Sequence, residues 1–74
     1  MKTFLVTIGE YFRHEYYHSC WEVYPSDQLI YRVEADKYGR AMDMADNYCK
    51  SQSNNEVKYE LISIIFINDI PEIK

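Results

Sequence analysis

One segment of this chain has the hydrophobic period of a helix, and it lies between segments that alternate with a period of two. Residues 3–11, 28–35 and 57–67 alternate as pleated strands do, whereas the apolar residues from position 38 to position 49 recur three or four positions apart. The members of this helical stripe are Tyr38, Ala41, Met42, Ala45, Tyr48 and Cys49. Asp36 is the predicted N-cap, and the polar run 51–55 is the predicted loop after the helix.

The order of these segments is strand, aromatic segment, strand, helix and strand. It predicts an α+β fold, in which a small antiparallel sheet of three to four strands has one helix packed on one face. The chain has 74 residues, which predicts a single domain of residues 1–74 with one small core. Residues 11–24 could form the far arm of a long hairpin with the first strand.

The last predicted strand is apolar on both faces from position 62 to position 67, apart from Ser63. Both faces are therefore expected to be covered, yet one helix can cover only one of them. A fully buried Ile or Phe contributes roughly 1.5–3 kcal/mol, so the other face is costly to leave in water. The aromatic segment, a second copy of the chain or another protein could cover it. A two-fold homodimer is the favoured expectation.

The aromatic segment, residues 11–25, holds four of the eight tyrosines, the only tryptophan and both histidines. Tyr, Trp and Arg dominate protein interfaces, so the segment is a candidate partner-binding site. The candidate residues are Tyr11, Arg13, Tyr16, Tyr17, Trp21, Glu22 and Tyr24. The competing interpretation is that the segment folds back over the sheet as core. The remaining tyrosines lie on apolar faces and are predicted at the core or its edge.

His14-Glu15-x-x-His18 has the letter pattern of a zinc protease motif. That motif requires a helix, because residues i and i+4 must share one face to reach one Zn²⁺. The surrounding residues favour strand or loop, where the two histidines would have Cα atoms about 13 Å apart, too far for one metal. The alternative hypothesis is a small zinc-binding module or metal-dependent hydrolase that uses His14 and His18. The favoured expectation is two surface histidines, with no metal site.

No catalytic group is predicted elsewhere. Cys20 lies two residues from His18, but this spacing does not orient a base, and no acid is placed to hold the imidazole. Cys49 completes the helical stripe and is predicted to be a small buried hydrophobe. The only glycines, Gly9 and Gly39, do not form a phosphate-binding loop. The chain is therefore expected not to be an enzyme and to need no cofactor.

Charge and composition restrict the expected partner and the expected location of the protein. The net charge is −4, and the eight basic residues are scattered singly, which argues against direct nucleic-acid binding. No apolar run approaches the roughly 20 residues of a membrane span, and the N-terminus does not resemble a signal peptide. Two cysteines are too few for a disulfide scaffold, so free thiols and a cytoplasmic location are expected.

The run KTFLVTI, then YRVEAD, then a helix carrying YGRAMDMA and a closing strand, resembles small strand-strand-helix-strand proteins of phages and conjugative elements, the DpnD/PcfM-like group. The resemblance covers the first strand and residues 31–45. It implies the fold and a mobile-element origin, and it carries over no catalytic residue. With the aromatic segment, it suggests an accessory factor that binds and blocks a host protein, such as a CRISPR effector or restriction enzyme.

Overall fold

The computed structural model describes residues 1–14 and 20–67 and contains four strands and one helix within those ranges. The elements are β1 (Lys2–His14), β2 (Cys20–Trp21), β3 (Asp27–Ala35), α1 (Tyr38–Gln52) and β4 (Val57–Phe66). All strand pairs are antiparallel. The predicted α+β fold, a small antiparallel sheet with one helix, is confirmed.

β1 is the central strand of the sheet. Positions 2–10 of β1 pair with β3, positions 4–12 pair with β4, and its last two residues pair with β2. β1 is longer than the alternation of residues 3–11 predicts, because backbone pairing continues to His14. β3 begins one residue before the predicted start and β4 ends one residue before the predicted end, as is usual for strand ends.

The core lies between β1 and α1. Phe4, Val6 and Ile8 alternate along β1 and are buried under the helix. The helix residues that are buried are the small ones, Ala41, Ala45 and Cys49. Small side chains let the helix backbone come close to the sheet, so the large residues of β1 can fill the space between them.

The larger members of the predicted helical stripe are only partly covered. Tyr38, Met42 and Tyr48 are each more than a third exposed, although the Tyr38 ring contacts Phe4 edge to face at 6.1 Å between centroids. The stripe therefore correctly predicts which side of α1 packs on the sheet, while only its small residues are buried. The tyrosines lie at the edge of the core rather than inside it.

The prediction that Asp36 is the N-cap of α1 is wrong. Lys37 occupies the cap position with extended backbone and forms no side-chain cap hydrogen bond. The helix also continues to Gln52 instead of ending before position 51. Ser53 closes it, because its N–H and its hydroxyl both donate to the Cys49 carbonyl, at 3.0 and 2.7 Å.

An irregularity in the β1–β4 pairing determines which face several apolar residues occupy. Leu61 pairs with Ile8 and Ser63 pairs with Thr7, so Ile62 is an extra residue in β4. A bulge of this kind shifts the alternation of the residues that follow it. The Ile62 side chain thereby joins the face opposite the helix, and Ile64 packs with the core cluster.

Candidate interaction face

The side of the sheet opposite α1, called the open face here, carries large exposed apolar side chains. Even positions 4, 6 and 8 of β1 lie under the helix, so odd positions and their cross-strand partners point to the open face. Ile30 is 69% exposed there, and Ile62 and Ile65 are each 44% exposed. The expectation that both faces of the last strand are covered is therefore not met by the described residues of one chain.

The exposed isoleucines lie on the two strands that flank β1. Ile65 lies directly opposite Leu5, and Ile30 lies opposite Thr7, the next residue of β1 on this face. Such cross-strand neighbours have Cβ atoms about 4.5–5.5 Å apart. Thr7, Ser63 and Arg32 lie on the same face, opposite or beside these residues. The open face is therefore a mixed surface, on which Ile30, Ile62 and Ile65 are large exposed apolar side chains.

Gly9 forms the floor of this surface at the end nearer β2. A Cβ added at Gly9 would lie 2.8 Å from Ile62 Cδ1, 2.9 Å from Tyr11 Cε2 and 3.2 Å from Pro25 Cβ. Three side chains from β4, β1 and the loop before β3 therefore converge over the glycine. Together with the residues above, they make the apolar part of the open face: Leu5, Tyr11, Pro25, Ile30, Ile62 and Ile65.

Tyr11 and Trp21 are held by a lysine of β4. Lys58 pairs with Tyr11 across the sheet, and its Nζ lies 5.4 Å from the centre of the Tyr11 ring and 5.3 Å from that of Trp21. Glu60 Oε1 lies 3.4 Å from the same Nζ. Both rings are partly buried and lie close to one cation. These two predicted partner-binding residues are thus brought together on the open face.

Glu22 fixes the loop that joins β2 to β3. Its Oε1 accepts hydrogen bonds from the Phe12 N–H at 2.8 Å and from the Ser26 hydroxyl, and its Oε2 lies 3.3 Å from His14 Nε2. The hydrogen bond from Ser26, followed by that from Phe12, lowers the pKa of Glu22 below its ordinary 4.5. Glu22 therefore has a structural task here, in addition to being a predicted partner-binding residue.

Glu22→Gln should lower thermal stability at neutral pH more than in acid. A carboxyl group whose folded pKa is lowered contributes stability above its unfolded pKa and loses it as the pH falls through the folded pKa. The difference in midpoint between the two proteins should therefore shrink as the pH falls below about 4.5. Thermal unfolding at a series of pH values measures this. Glu34→Gln removes the same charge from an exposed site, and a pH-independent loss in Glu22→Gln would contradict the account.

The loop held by Glu22 presents two large side chains to solvent. Val23 is 83% exposed and Tyr24 is 81% exposed. The loop's backbone is fixed at both ends, since the Glu22 N–H donates to the Phe12 carbonyl at 3.1 Å and the Ser26 N–H donates to the Glu10 carbonyl at 2.8 Å. Tyr24, a predicted partner-binding residue, is therefore displayed on an anchored loop.

Three predicted partner-binding residues remain: Arg13, Tyr16 and Tyr17. Arg13 makes contacts within the chain. Arg13 donates from its backbone N–H to the Glu56 carbonyl at 3.0 Å and from Nη1 to the Asn55 carbonyl at 3.3 Å, which ties the end of β1 to the turn before β4. Tyr16 and Tyr17 lie outside the described residues.

His14 lies on a strand, not on a helix. It is the last residue of β1 and pairs with Cys20. The zinc protease motif places both histidines on one helical face, and this arrangement is incompatible with His14 in β1. Glu15 and His18 lie outside the described residues. Within ranges 1–14 and 20–67, no three His, Cys, Asp or Glu side chains are grouped closely enough to hold a metal ion.

The helix side of the sheet has a small apolar cavity. It measures about 210 Å³ and lies between α1 and β3, with Met44, Ala45 and Val33 among its lining residues. The Tyr31 and Tyr48 hydroxyls share a hydrogen bond of 3.1 Å beside it, and this bond, followed by burial, raises the pKa of Tyr31. Ligand pockets typically measure about 300–1,000 Å³, so the open face is the better candidate site.

Cys49 and Tyr59, on the helix side of the sheet, also have raised pKa values. Burial is the main cause that raises the pKa of the Cys49 thiol, so the thiolate needed for nucleophilic chemistry is disfavoured. The Tyr59 hydroxyl donates to Glu10 Oε2 at 2.8 Å, which raises the pKa of Tyr59. Cys49 is a free, buried thiol, as the helical stripe predicts.

A scan against protein-family models, a search of curated proteins and a search of solved structures each found no match to this chain. The resemblance to the DpnD/PcfM-like group is thus untested by these comparisons. Within the described residues, α1 lacks the length and apolar character that a membrane crossing requires.

Proposed function

We propose that this chain is a non-enzymatic binding protein that docks on another protein through its open face and blocks it. The observation that supports this most is the group of exposed isoleucines on the open face: Ile30, Ile62 and Ile65. Exposed apolar patches that extend over several side chains are typical of protein interaction sites, whereas single exposed residues are not. Ile30 and Ile65 are large and exposed, and they lie on strands that pair with β1.

The surroundings of the apolar surface also favour a protein partner. Tyr11 and Trp21 lie at one end of it, and Tyr24 projects from the adjacent loop. Aromatic and apolar residues with charged residues near them are a common composition of an interface. Lys58 and Glu60 supply such charges on the same face.

A host defence protein, such as a CRISPR effector or restriction enzyme, is the proposed target. The resemblance to proteins of phages and conjugative elements supports this choice, as does the net charge of −4. Proteins that bind nucleic acid present clustered Lys and Arg, and an acidic protein is attracted to such a surface. Such a target would place the site of action in the cytoplasm.

A phage plating assay tests the blocking function. Bacteria that carry one restriction or CRISPR system each are made to express the chain, and plaques are counted for a phage which that system normally stops. We expect plaque numbers to rise with at least one system. Ile30→Glu should abolish the rise, whereas Asn47→Glu, which adds the same charge on the exposed side of α1, should preserve it. No rise with any tested system would contradict the proposed targets.

Self-association is the other arrangement that would cover the open face. A two-fold dimer would bury the same apolar residues against their copies. Light scattering separates the two arrangements, because a protein that keeps the mass of 8.9 kDa at micromolar concentrations leaves its open face available to a partner. A stable dimer that Ile30→Glu converts to a monomer would favour the second copy instead.

A further inference from the structure

The contacts of Lys58 form a recognisable arrangement. Its ammonium group is close to two aromatic rings, with Nζ 5.4 Å from the Tyr11 centroid and 5.3 Å from the Trp21 centroid, and a carboxylate oxygen of Glu60 lies at 3.4 Å. Aromatic rings attract cations that lie within about 6 Å of their centroids. Two rings and a carboxylate around one position make a receptor for a positive side chain.

We propose that Tyr11, Trp21 and Glu60 form a binding site for an arginine side chain of the partner protein, and that Lys58 occupies this site in the free chain. The identity of the partner rests on the proposed function. The site itself rests on these contacts, which join residues of β1, β2 and β4.

Arginine is the side chain best suited to displace Lys58. Its guanidinium is planar, stacks on aromatic faces and is more weakly hydrated than an ammonium group. The Lys58 side chain is one third exposed and Glu60 is about half exposed, so the site can be entered from solvent. The surface of a nucleic-acid-binding partner would be rich in arginine, which agrees with the acidic charge of this chain.

The position of the site gives it a role in partner recognition. Tyr11 also contacts the space above Gly9, where Ile62 and Pro25 converge, so the cation site adjoins the apolar surface of the open face. A partner that covers the apolar surface would bring its basic side chains next to Trp21. Exchange of Lys58 for a partner arginine would then release the Lys58 ammonium to solvent or to a partner carboxylate.

Fluorescence of Trp21, the only tryptophan, measures occupancy of the site directly. The purified full chain and its Lys58→Thr variant are titrated with N-acetyl-arginine amide, at constant ionic strength, and with N-acetyl-citrulline amide as the neutral control. We expect a saturable change for arginine amide and none for citrulline amide. The variant should bind about tenfold more tightly, as expected if Lys58 leaves the site open about a tenth of the time.

Three results would overturn the proposal. They are equal responses to the arginine and citrulline amides, no gain in affinity for Lys58→Thr, and unchanged binding when Tyr11→Leu is added to that variant. Lys58→Met serves as a second variant if circular dichroism shows that Lys58→Thr is misfolded. Because the titration uses one purified protein and a small ligand, its failure leaves the plating result untouched, and the failures of the two proposals are distinguishable.

Discussion

Phe4→Ala should cost about 3–5 kcal/mol of the free energy of unfolding, the range for truncation of a fully buried phenylalanine. Phe4 is 2% exposed, lies in the central strand and packs against Phe66 with 5.3 Å between ring centroids and against Tyr38. Domains are stable by roughly 0.05–0.15 kcal/mol per residue, which gives roughly 4–11 kcal/mol for this chain. The loss is therefore a large fraction of the total stability, and at the lower end of that range the variant would be unfolded.

Phe12→Ala is the matched control for this prediction. It makes the same chemical change in the same strand, but Phe12 is 40% exposed and outside the core cluster. Its loss should be close to the typical single-mutant value of about 1 kcal/mol. Urea unfolding followed by circular dichroism compares the two variants. Equal losses would show that the core does not lie between α1 and positions 4, 6 and 8 of β1.

Ile30→Glu should abolish partner binding and leave the fold intact. The Ile30 side chain is 69% exposed, so a glutamate there remains solvated in the free chain, and substitutions at such sites usually change stability by less than about 0.5 kcal/mol. In a complex that covers the open face, the same carboxylate would be removed from water, and burial of a charge is strongly unfavourable. Thermal unfolding and co-purification of the partner measure the two effects separately.

Asn47→Glu controls for added negative charge, because Asn47 is exposed on α1. It should bind the partner like the unmodified chain. If both variants lose binding, general charge repulsion explains the effect; if Ile30→Glu alone lowers the thermal midpoint strongly, Ile30 belongs to the folded core. Either outcome would contradict the assignment of the open face as the binding surface.

The fold class could be predicted because the two hydrophobic periods are clear. Alternation in residues 3–11, 28–35 and 57–67 and the stripe that contains Ala41, Ala45 and Cys49 correspond to β1, β3, β4 and the buried side of α1. The N-cap could not be predicted, because Asp36 is a good capping residue in sequence and only the backbone position of Lys37 excludes it.

The candidate site was only partly predictable. Tyr11 and Trp21 were indicated by their residue types, and the structure places both beside Lys58. Ile30 was not indicated by the sequence, because a single apolar residue between polar residues on an outward face does not by itself predict a binding site. Its significance depends on Leu5 and Ile65 in other strands, and strand register is a property of the whole sheet rather than of any one segment.

The bulge explains why the two faces of β4 were difficult to assign. In a regular strand, Ile62, Ile64 and Phe66 would share one face, because side chains alternate with a period of two. The extra residue in β4 separates Ile62 from the other two, so that Ile62 joins the open face while Ile64 and Phe66 pack with the core. Sequence alternation alone contains no marker for this position.

Site-specific photocrosslinking tests most directly whether the open face is the binding surface. A benzophenone amino acid is placed at position 30 on the open face or, in a second protein, at position 43 on the exposed side of α1. Each protein is produced and irradiated in the host cells. The account predicts a crosslink to one host protein from position 30 and none from position 43. A host-protein crosslink from position 43 alone, or crosslinks from position 30 only to a second copy of the chain, would contradict it.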